Sequence, residues 1–456
     1  MTQSPVTQQP TGNETRRAAS AIVAEIAERL RDPAAVVAHT TGRGEAVEVD
    51  GEQAPLWTPQ SLARGYPGIA LLFAELGHHD PDSRYTAHRY VELAAREPET
   101  NALAGQLDGL CAVAVATRVA AHNESDYATL LHRLDQHVMT SARRLIAMHA
   151  TAQTAGEPTR PVIVDALSGL AGLGRYLLGR LVTAPTAFGP ADPLLEALSC
   201  LSSLRHTVMW HGVEVPGWWY HRTPLLAENE AGAYREGCAT FGLSHGIAGP
   251  LALMALAWQA GFRAPGQDES AHAITEWLLL WREADEHGWY WPAQIPLSHY
   301  RDRSVDKPHP ARIAWCHGSW GIAQAILLAG EAFGRPDWSA GAGEVIHATL
   351  ARARFRWNIN DDSLCHGWAS ALHQLCRIAW RTPHSALTAA ADEVAARLID
   401  DFRPDAPFGY RYQHPSGESS DLPSLLEGAS GIALALHAYG TDRPPASGWD
   451  SVLLLS

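Results

Sequence analysis

Seven times along the chain a glycine-bearing turn runs straight into an apolar stretch, and this repetition limits the fold more than any other feature. The starts are Gly65-Tyr66-Pro67-Gly68, Gly105 to Gly109, Gly169-Leu170-Ala171-Gly172, Gly246-Ile247-Ala248-Gly249, Gly318-Ser319-Trp320-Gly321, Gly367-Trp368 and Gly428-Ala429-Ser430-Gly431. The second and sixth are imperfect. Between them lie segments with apolar residues near i, i+3, i+4 and i+7 and charges on the other side: Ala18 to Leu30, Arg84 to Ala95, Tyr127 to His149, Leu194 to Leu204, His272 to Trp281, Gly343 to Ala353 and Ser385 to Asp400. A helix apolar nearly all round must be covered on every side, whereas a one-sided helix belongs at the surface. The alternation therefore predicts an all-α fold, an α/α toroid (barrel) of seven inner and seven outer helices. Glycine at the inner starts permits tight turns and lets helix ends crowd around a common axis.

Two stretches exceed a turn. Residues 207–240 hold Trp210, Trp218, Trp219 and Tyr220, and residues 286–312 hold Trp289-Tyr290-Trp291. Long structureless loops are uncommon inside compact domains, so both read as small irregular or β insertions over one mouth of the ring. Phe408-Gly409-Tyr410-Arg411-Tyr412 suggests a further short hairpin there. The expected organisation is a disordered tail over residues 1–16 and a single domain over 17–456.

A formal charge of −14 opposes a phosphate-tracking surface and excludes nucleic acid as a partner. The first residues lack the apolar core of an export signal, and no apolar run is long enough to span a bilayer, so the expectation is a cytoplasmic protein with no transmembrane segment. Six cysteines in a large chain of this kind do not read as a disulfide framework, which leaves metal binding or packing to explain them. Cys111 and Cys376 fall in inner-helix patterns and Cys200 on an outer-helix stripe, where packing is the simpler account. Cys238 falls in an insertion and has no assigned role.

Two Cys-His dipeptides occupy equivalent places just before inner helices: Trp315-Cys316-His317-Gly318 and Leu364-Cys365-His366-Gly367. Consecutive inner helices are neighbours in a ring and start at the same mouth, so these residues can converge. Zinc favours tetrahedral Cys and His ligation, and catalytic zinc keeps one position open. Cys316, Cys365 and His366 are the expected ligands of one Zn²⁺ per chain. Two thiolates neutralise the ion, so a third thiolate, from a substrate, would carry net negative charge and stay nucleophilic. Such a site suits sulfur alkylation better than hydrolysis.

With Gly242-Leu243-Ser244-His245-Gly246-Ile247-Ala248-Gly249 added, these motifs resemble those of the LanC (lanthionine synthetase C-like) cyclases across essentially the whole chain. The resemblance implies an α-toroid, one zinc, and Michael addition of peptide cysteine to dehydroalanine or dehydrobutyrine, giving lanthionine or methyllanthionine. It implies a dehydrated precursor peptide as substrate. With no dehydratase-sized region ahead of the toroid, a separate dehydratase is the expected partner and an export transporter a further candidate.

By the same likeness His245 and Asp165 line the site as acid–base candidates, and Arg312, four residues before Cys316, matches another active-site position. Imidazole titrates near neutral pH and can take or return a proton, which favours His245. Asp165 could orient it, hold substrate, or simply cap a helix. Arg312 could stabilise a developing enolate or serve as a structural ion-pair partner. His317 departs from a family member that has tyrosine there, and assisting catalysis, shaping the pocket and supporting Cys316 all stay open. Two other functions remain as alternatives: a thiol- or glutathione-binding protein without cyclisation, and a toroidal glycosidase, which would need two carboxylates flanking the scissile bond.

Overall fold

The computed structural model describes residues 12–42, 46–49, 52–97, 105–189, 191–222, 232–303, 312–414 and 417–456. The inner helices are Tyr66–Leu76, Gly109–Ala120, Leu170–Thr183, Ala248–Gln259, Ser319–Phe333, Trp368–Arg381 and Ala429–Thr441. They alternate with the outer helices Gly12–Leu30, Pro81–Arg96, Ala128–Thr154, Asp192–Ser203, Gln267–Leu280, Pro336–Ala351 and Ser385–Asp400. The expected α/α toroid is thus present, helix for helix.

Burial follows the sequence pattern. Every residue from Ser319 to Gly330 is buried, whereas the outer helix Pro81–Arg96 buries Ser83, Thr86, Ala87, Tyr90, Val91 and Ala94, one stripe at helical spacing. Asp80 caps that helix by accepting from the N–H groups of Asp82 and Ser83, and Pro81 fits the first turn, where no amide partner is needed.

The turns that start the inner helices are tied to one another in a closed circle. Leu62 N–H donates to the Leu107 carbonyl (2.8 Å), Leu107 N–H to Leu167 (2.9 Å), Ala166 N–H to Ser244 (2.7 Å) and Ser244 N–H to Cys316 (3.1 Å). Trp315 N–H reaches Ser370 Oγ (2.8 Å), Cys365 N–H donates to Leu426 (2.9 Å), and Leu425 N–H returns to Leu62 (3.4 Å). Each turn donates to the next, so equivalent positions in the repeats are held around one mouth. Glycine is needed where these backbones meet: a Cβ on Gly318 would lie 2.2 Å from both the nitrogen and the oxygen of Ala314, and one on Gly242 would lie 2.4 Å from the Cys316 carbonyl.

The ring's axis is filled by the C-terminal residues. Glu75, at the far end of its inner helix, accepts from Ala446 N–H (2.9 Å) and Ser447 N–H (2.8 Å). From there the 3-10 turn Trp449–Leu453 rises until the Leu453 carbonyl accepts from the Trp315 indole (2.8 Å) and that of Val452 from Gln106 (2.8 Å). Asp450 lies fully buried between His373 (3.0 Å), Arg377 (3.4 Å) and Ser456 Oγ (2.8 Å). Burial alone would raise its pKa, but Arg377 and His373 hold the carboxyl far below the ordinary range. Removing one partner of a buried charge pair typically costs about 3–5 kcal/mol. Asp450→Ala is expected to lose stability on that scale, read as a lower urea midpoint with the slope unchanged.

Ala46–Val49 pairs with Glu52–Pro55 ahead of the first inner helix, and further short strands lie in and beside the insertions. Val208–Trp210 pairs with Val213–Val215, and Glu283–Asp285 with Gly288–Tyr290. Cys238–Thr240 pairs with Gln294–Pro296 and so joins the two insertions. The hairpin near residue 412 is present as Tyr412–Gln413 against Ser419–Ser420. Residues 223–231 and 304–311 of the insertions lie outside the described residues.

One boundary differs from expectation. The first outer helix starts at Gly12, inside the segment 1–16 read as a tail, because its opening turn has something to pack on. Thr15 is buried, and Arg16 pairs with Asp442 at 2.9 Å and lies over the Tyr439 ring. Residues 1–11 lie outside the described residues. Among the described residues no helix is long and apolar enough to cross a membrane.

Candidate metal centre

Cys316, Cys365 and His366 stand on two neighbouring turns of the circle, and their ligand atoms all lie within 4.8 Å of one another. They are the one group of three or more potential ligands of this kind among the described residues. A tetrahedral zinc with bonds of about 2.1 Å to nitrogen and 2.3 Å to sulfur needs donors roughly 3.5–3.8 Å apart. The trio is therefore within about 1 Å of the spacing that such an ion needs. Cys316 is buried, while Cys365 and His366 are partly open to the mouth.

The donors already interact through protons. The hydrogen bond with Cys365 pulls the Cys316 thiol well below its ordinary range, and the same bond pushes Cys365 well above it. Burial works against a charged His366, but its hydrogen bond to Cys316 and the charges of Cys316 and Asp361 outweigh burial and raise its pKa. A divalent cation competes directly with these protons. His366 Nε2 lies 3.3 Å from Asp361 Oδ2 and 3.2 Å from the Tyr412 hydroxyl. A carboxylate on one ring nitrogen is the usual way of orienting a histidine whose other nitrogen binds metal. The donor set and its support both fit zinc.

Alongside stands the second group. His245 Nδ1 donates a short hydrogen bond to Asp165 Oδ2, and Asp165 Oδ1 accepts from the N–H groups of Leu167 and Ser168, both at 2.7 Å. Burial alone would raise the Asp165 pKa, yet the charge and hydrogen bond of His245 and the two amides hold it below the ordinary carboxylate range. Asp165 is not the cap of the following helix, a position taken by Gly169; it fixes its own turn and orients His245 together. With both oxygens so engaged, it is poorly placed to act as a glycosidase acid. Tyr220 donates to the His245 carbonyl at 2.9 Å, so an insertion residue also steadies this turn.

His317 bridges the two groups. Its ring centroid is 5.0 Å from that of His245, and its Nδ1 is buried with no hydrogen-bond partner among the described residues. Burial, reinforced by the charges of His245, Arg312 and His366, pushes its pKa down to about 4 against the pull of Cys316. Arg312 makes no ion pair among the described residues, yet its charge acts on His317, His366 and Tyr412, which places it at the same mouth. All seven residues singled out from the sequence thus gather at one end of the ring.

Asp361 and Tyr412 were not foreseen. A signal for Asp361 exists: superimposing the two Cys-His-Gly turns puts it where Arg312 stands, four residues before the cysteine. Cys111, Cys200 and Cys376 are buried in the helices that contain them, as packing requires, and Cys238 is buried in its strand.

This architecture can be set beside known proteins. On 326 aligned residues the chain is 23% identical to Nisin biosynthesis protein NisC of Lactococcus lactis subsp. lactis, covering 70% of this chain and 73% of that protein. The solved structure of nisin cyclase matches with a TM-score of 0.70 at 19% identity, covering 97% of this chain and 98% of that one, which shows a common fold. The family described as Lanthionine synthetase C-like protein matches residues 56–454, from the first turn of the circle to the end of the axial segment. The chain therefore belongs to the lanthionine synthetase C-like family.

Proposed function

We propose that this protein is a zinc-dependent lanthionine synthetase, which adds cysteine thiols of a dehydrated precursor peptide to dehydroalanine or dehydrobutyrine and so closes thioether rings. The observation that carries the reading is the convergence of two cysteines and a histidine beside an Asp-oriented histidine at one mouth of a toroid. Cys316, Cys365 and His366 would hold the ion. When bound, zinc lowers the pKa of an incoming thiol, while two protein thiolates keep the bound sulfur electron-rich and nucleophilic.

The chain's own residues supply the remaining chemistry. His245 has Nδ1 committed to Asp165, so Nε2 is the nitrogen that exchanges a proton with substrate, taking one from the thiol or giving one to the α-carbon. Asp165 fixes the ring and the tautomer, and favours the imidazolium when it forms. Arg312 donates to the oxygen on which enolate charge develops. His317, held neutral, packs the wall between His245 and Cys316. The axial segment lies beneath Trp315, whose indole donates to the Leu453 carbonyl.

The test is direct. Zinc-loaded protein is incubated with a dehydrated, cysteine-containing precursor, and unreacted thiols are then alkylated and weighed by mass spectrometry. Cyclisation protects the thiols with no change in peptide mass. Full alkylation at every time point, with the peptide still bound, would assign the protein to thiol binding instead.

A further inference from the structure

His245, His317 and His366 each stand one residue before the first glycine of their turns. The same position holds Glu427 in the seventh turn and Arg64 in the first. The circle of backbone hydrogen bonds makes this equivalence spatial. Cys365 N–H donates to the Leu426 carbonyl, which brings Glu427 next to the metal turn, and Leu425 N–H donates to Leu62, which brings Arg64 next to Glu427. The two residues therefore continue the arc of histidines past His366, on the side away from His245 and Asp165.

Their chemistry is unfinished. Arg64 Nε and Glu427 Oε2 face each other at 3.8 Å, and both atoms are buried with no hydrogen-bond partner among the described residues. Burying a charged donor and a charged acceptor short of hydrogen-bond contact is unfavourable unless something else completes them. Electrostatics puts them at the same mouth: Glu427 acts on Cys365 and Tyr412, and His366 acts on Glu427. An anionic ligand would be repelled by Glu427 and a cationic one by Arg64. A neutral group offering one acceptor and one donor satisfies both, and a peptide main chain is such a group.

We propose that Arg64 and Glu427 form a peptide-binding subsite, in which the guanidinium donates to a main-chain carbonyl and the carboxylate accepts a main-chain N–H of the dehydrated peptide, holding it on the flank of the metal centre opposite His245. The proposal rests on the cyclase reading and names how that enzyme grips its substrate.

The probe is a fluorescently labelled, dehydrated precursor whose cysteines have been capped with iodoacetamide, so that it can bind but not react. Its affinity is measured by anisotropy on zinc-loaded wild type, Glu427→Gln, Arg64→Met and the double variant. Each single change is expected to weaken binding about 10- to 100-fold, the worth of a charge-assisted hydrogen bond. The double variant should lose less than the product of the two. Zinc content should stay at the wild-type level. Affinities within twofold of wild type in both single variants would overturn the subsite, and a fall in thermal midpoint with unchanged affinity would show that the pair is structural only. Wild type that cyclises the uncapped peptide while the variants bind the probe normally removes the subsite alone; wild type that neither binds nor cyclises removes the cyclase reading and the subsite with it.

Discussion

Cys365→Ala is expected to lose its zinc and its cyclisation together while keeping its fold. The turn that carries Cys365 is held by its backbone, through Cys365 N–H to Leu426 and through Ser370 Oγ, which donates to the Cys365 carbonyl and accepts from Trp315 N–H. Removing the thiol therefore takes away a donor and little else. Structural zinc sites with four protein ligands bind with about 10–16 kcal/mol, so one ligand is worth roughly 3–4 kcal/mol and its loss should cost about 10²–10³ in affinity. Zinc per chain, measured after dialysis against a weak chelator, should fall from near one to a small fraction, and ring formation should fall in proportion. Cys376→Ala, which removes a buried thiol from the body of an inner helix, should keep both. Stoichiometric zinc in the Cys365 variant would mean that the ion is held by other groups, and the ligand assignment would have to be abandoned.

The convergence of Cys316, Cys365 and His366 could be foreseen because these residues obey the repeat. Cysteine followed by histidine at the same offset from two inner helices is a pattern that packing does not produce, and the ring geometry then guarantees proximity. The toroid itself was legible for a related reason. Glycine stands where two backbones touch, as at Gly318 and Gly242, and a largely apolar helix such as Ser319–Phe333 is buried on every side as far as Gly330. What escaped depends on contacts that no local pattern encodes. Asp361 is an ordinary loop acid until the fold brings it to His366. Tyr412 arrives from a two-residue strand that follows an outer helix. Arg64 and Glu427 sit at the informative offset, but on turns with no cysteine to draw attention to them. The axial segment has no periodicity, since its role arises only when the ring closes around it and Gln106, Trp315, His373 and Arg377 turn inward to receive it. The start of the first outer helix is not legible in the sequence because the polar residues before Ala18 gain their packing from the last inner helix, far away in sequence.

The division of labour between the metal turns and the Asp165–His245 pair leads to the opposite result for His245→Ala. His245 belongs to the turn that donates to the Cys316 carbonyl through Ser244, not through its own side chain, so the metal trio should survive its truncation. Zinc content is accordingly expected to match wild type. The group that is lost exchanges the proton, and a positioned acid–base group typically contributes about 10²–10⁴ to rate. Cyclisation should slow by a factor in that range. Asp165 loses one partner but keeps the amides of Leu167 and Ser168, so its turn should persist at a cost of roughly 1–3 kcal/mol in stability. The second readout is stereochemical. If His245 delivers the proton to the α-carbon, the residual product formed in the variant should contain both configurations at that carbon, because solvent then protonates either face. Hydrolysis, derivatisation and chiral chromatography of the thioether residues would separate them. Wild-type turnover with a single configuration would remove His245 from the reaction and leave the proton transfers to another group fixed at the mouth.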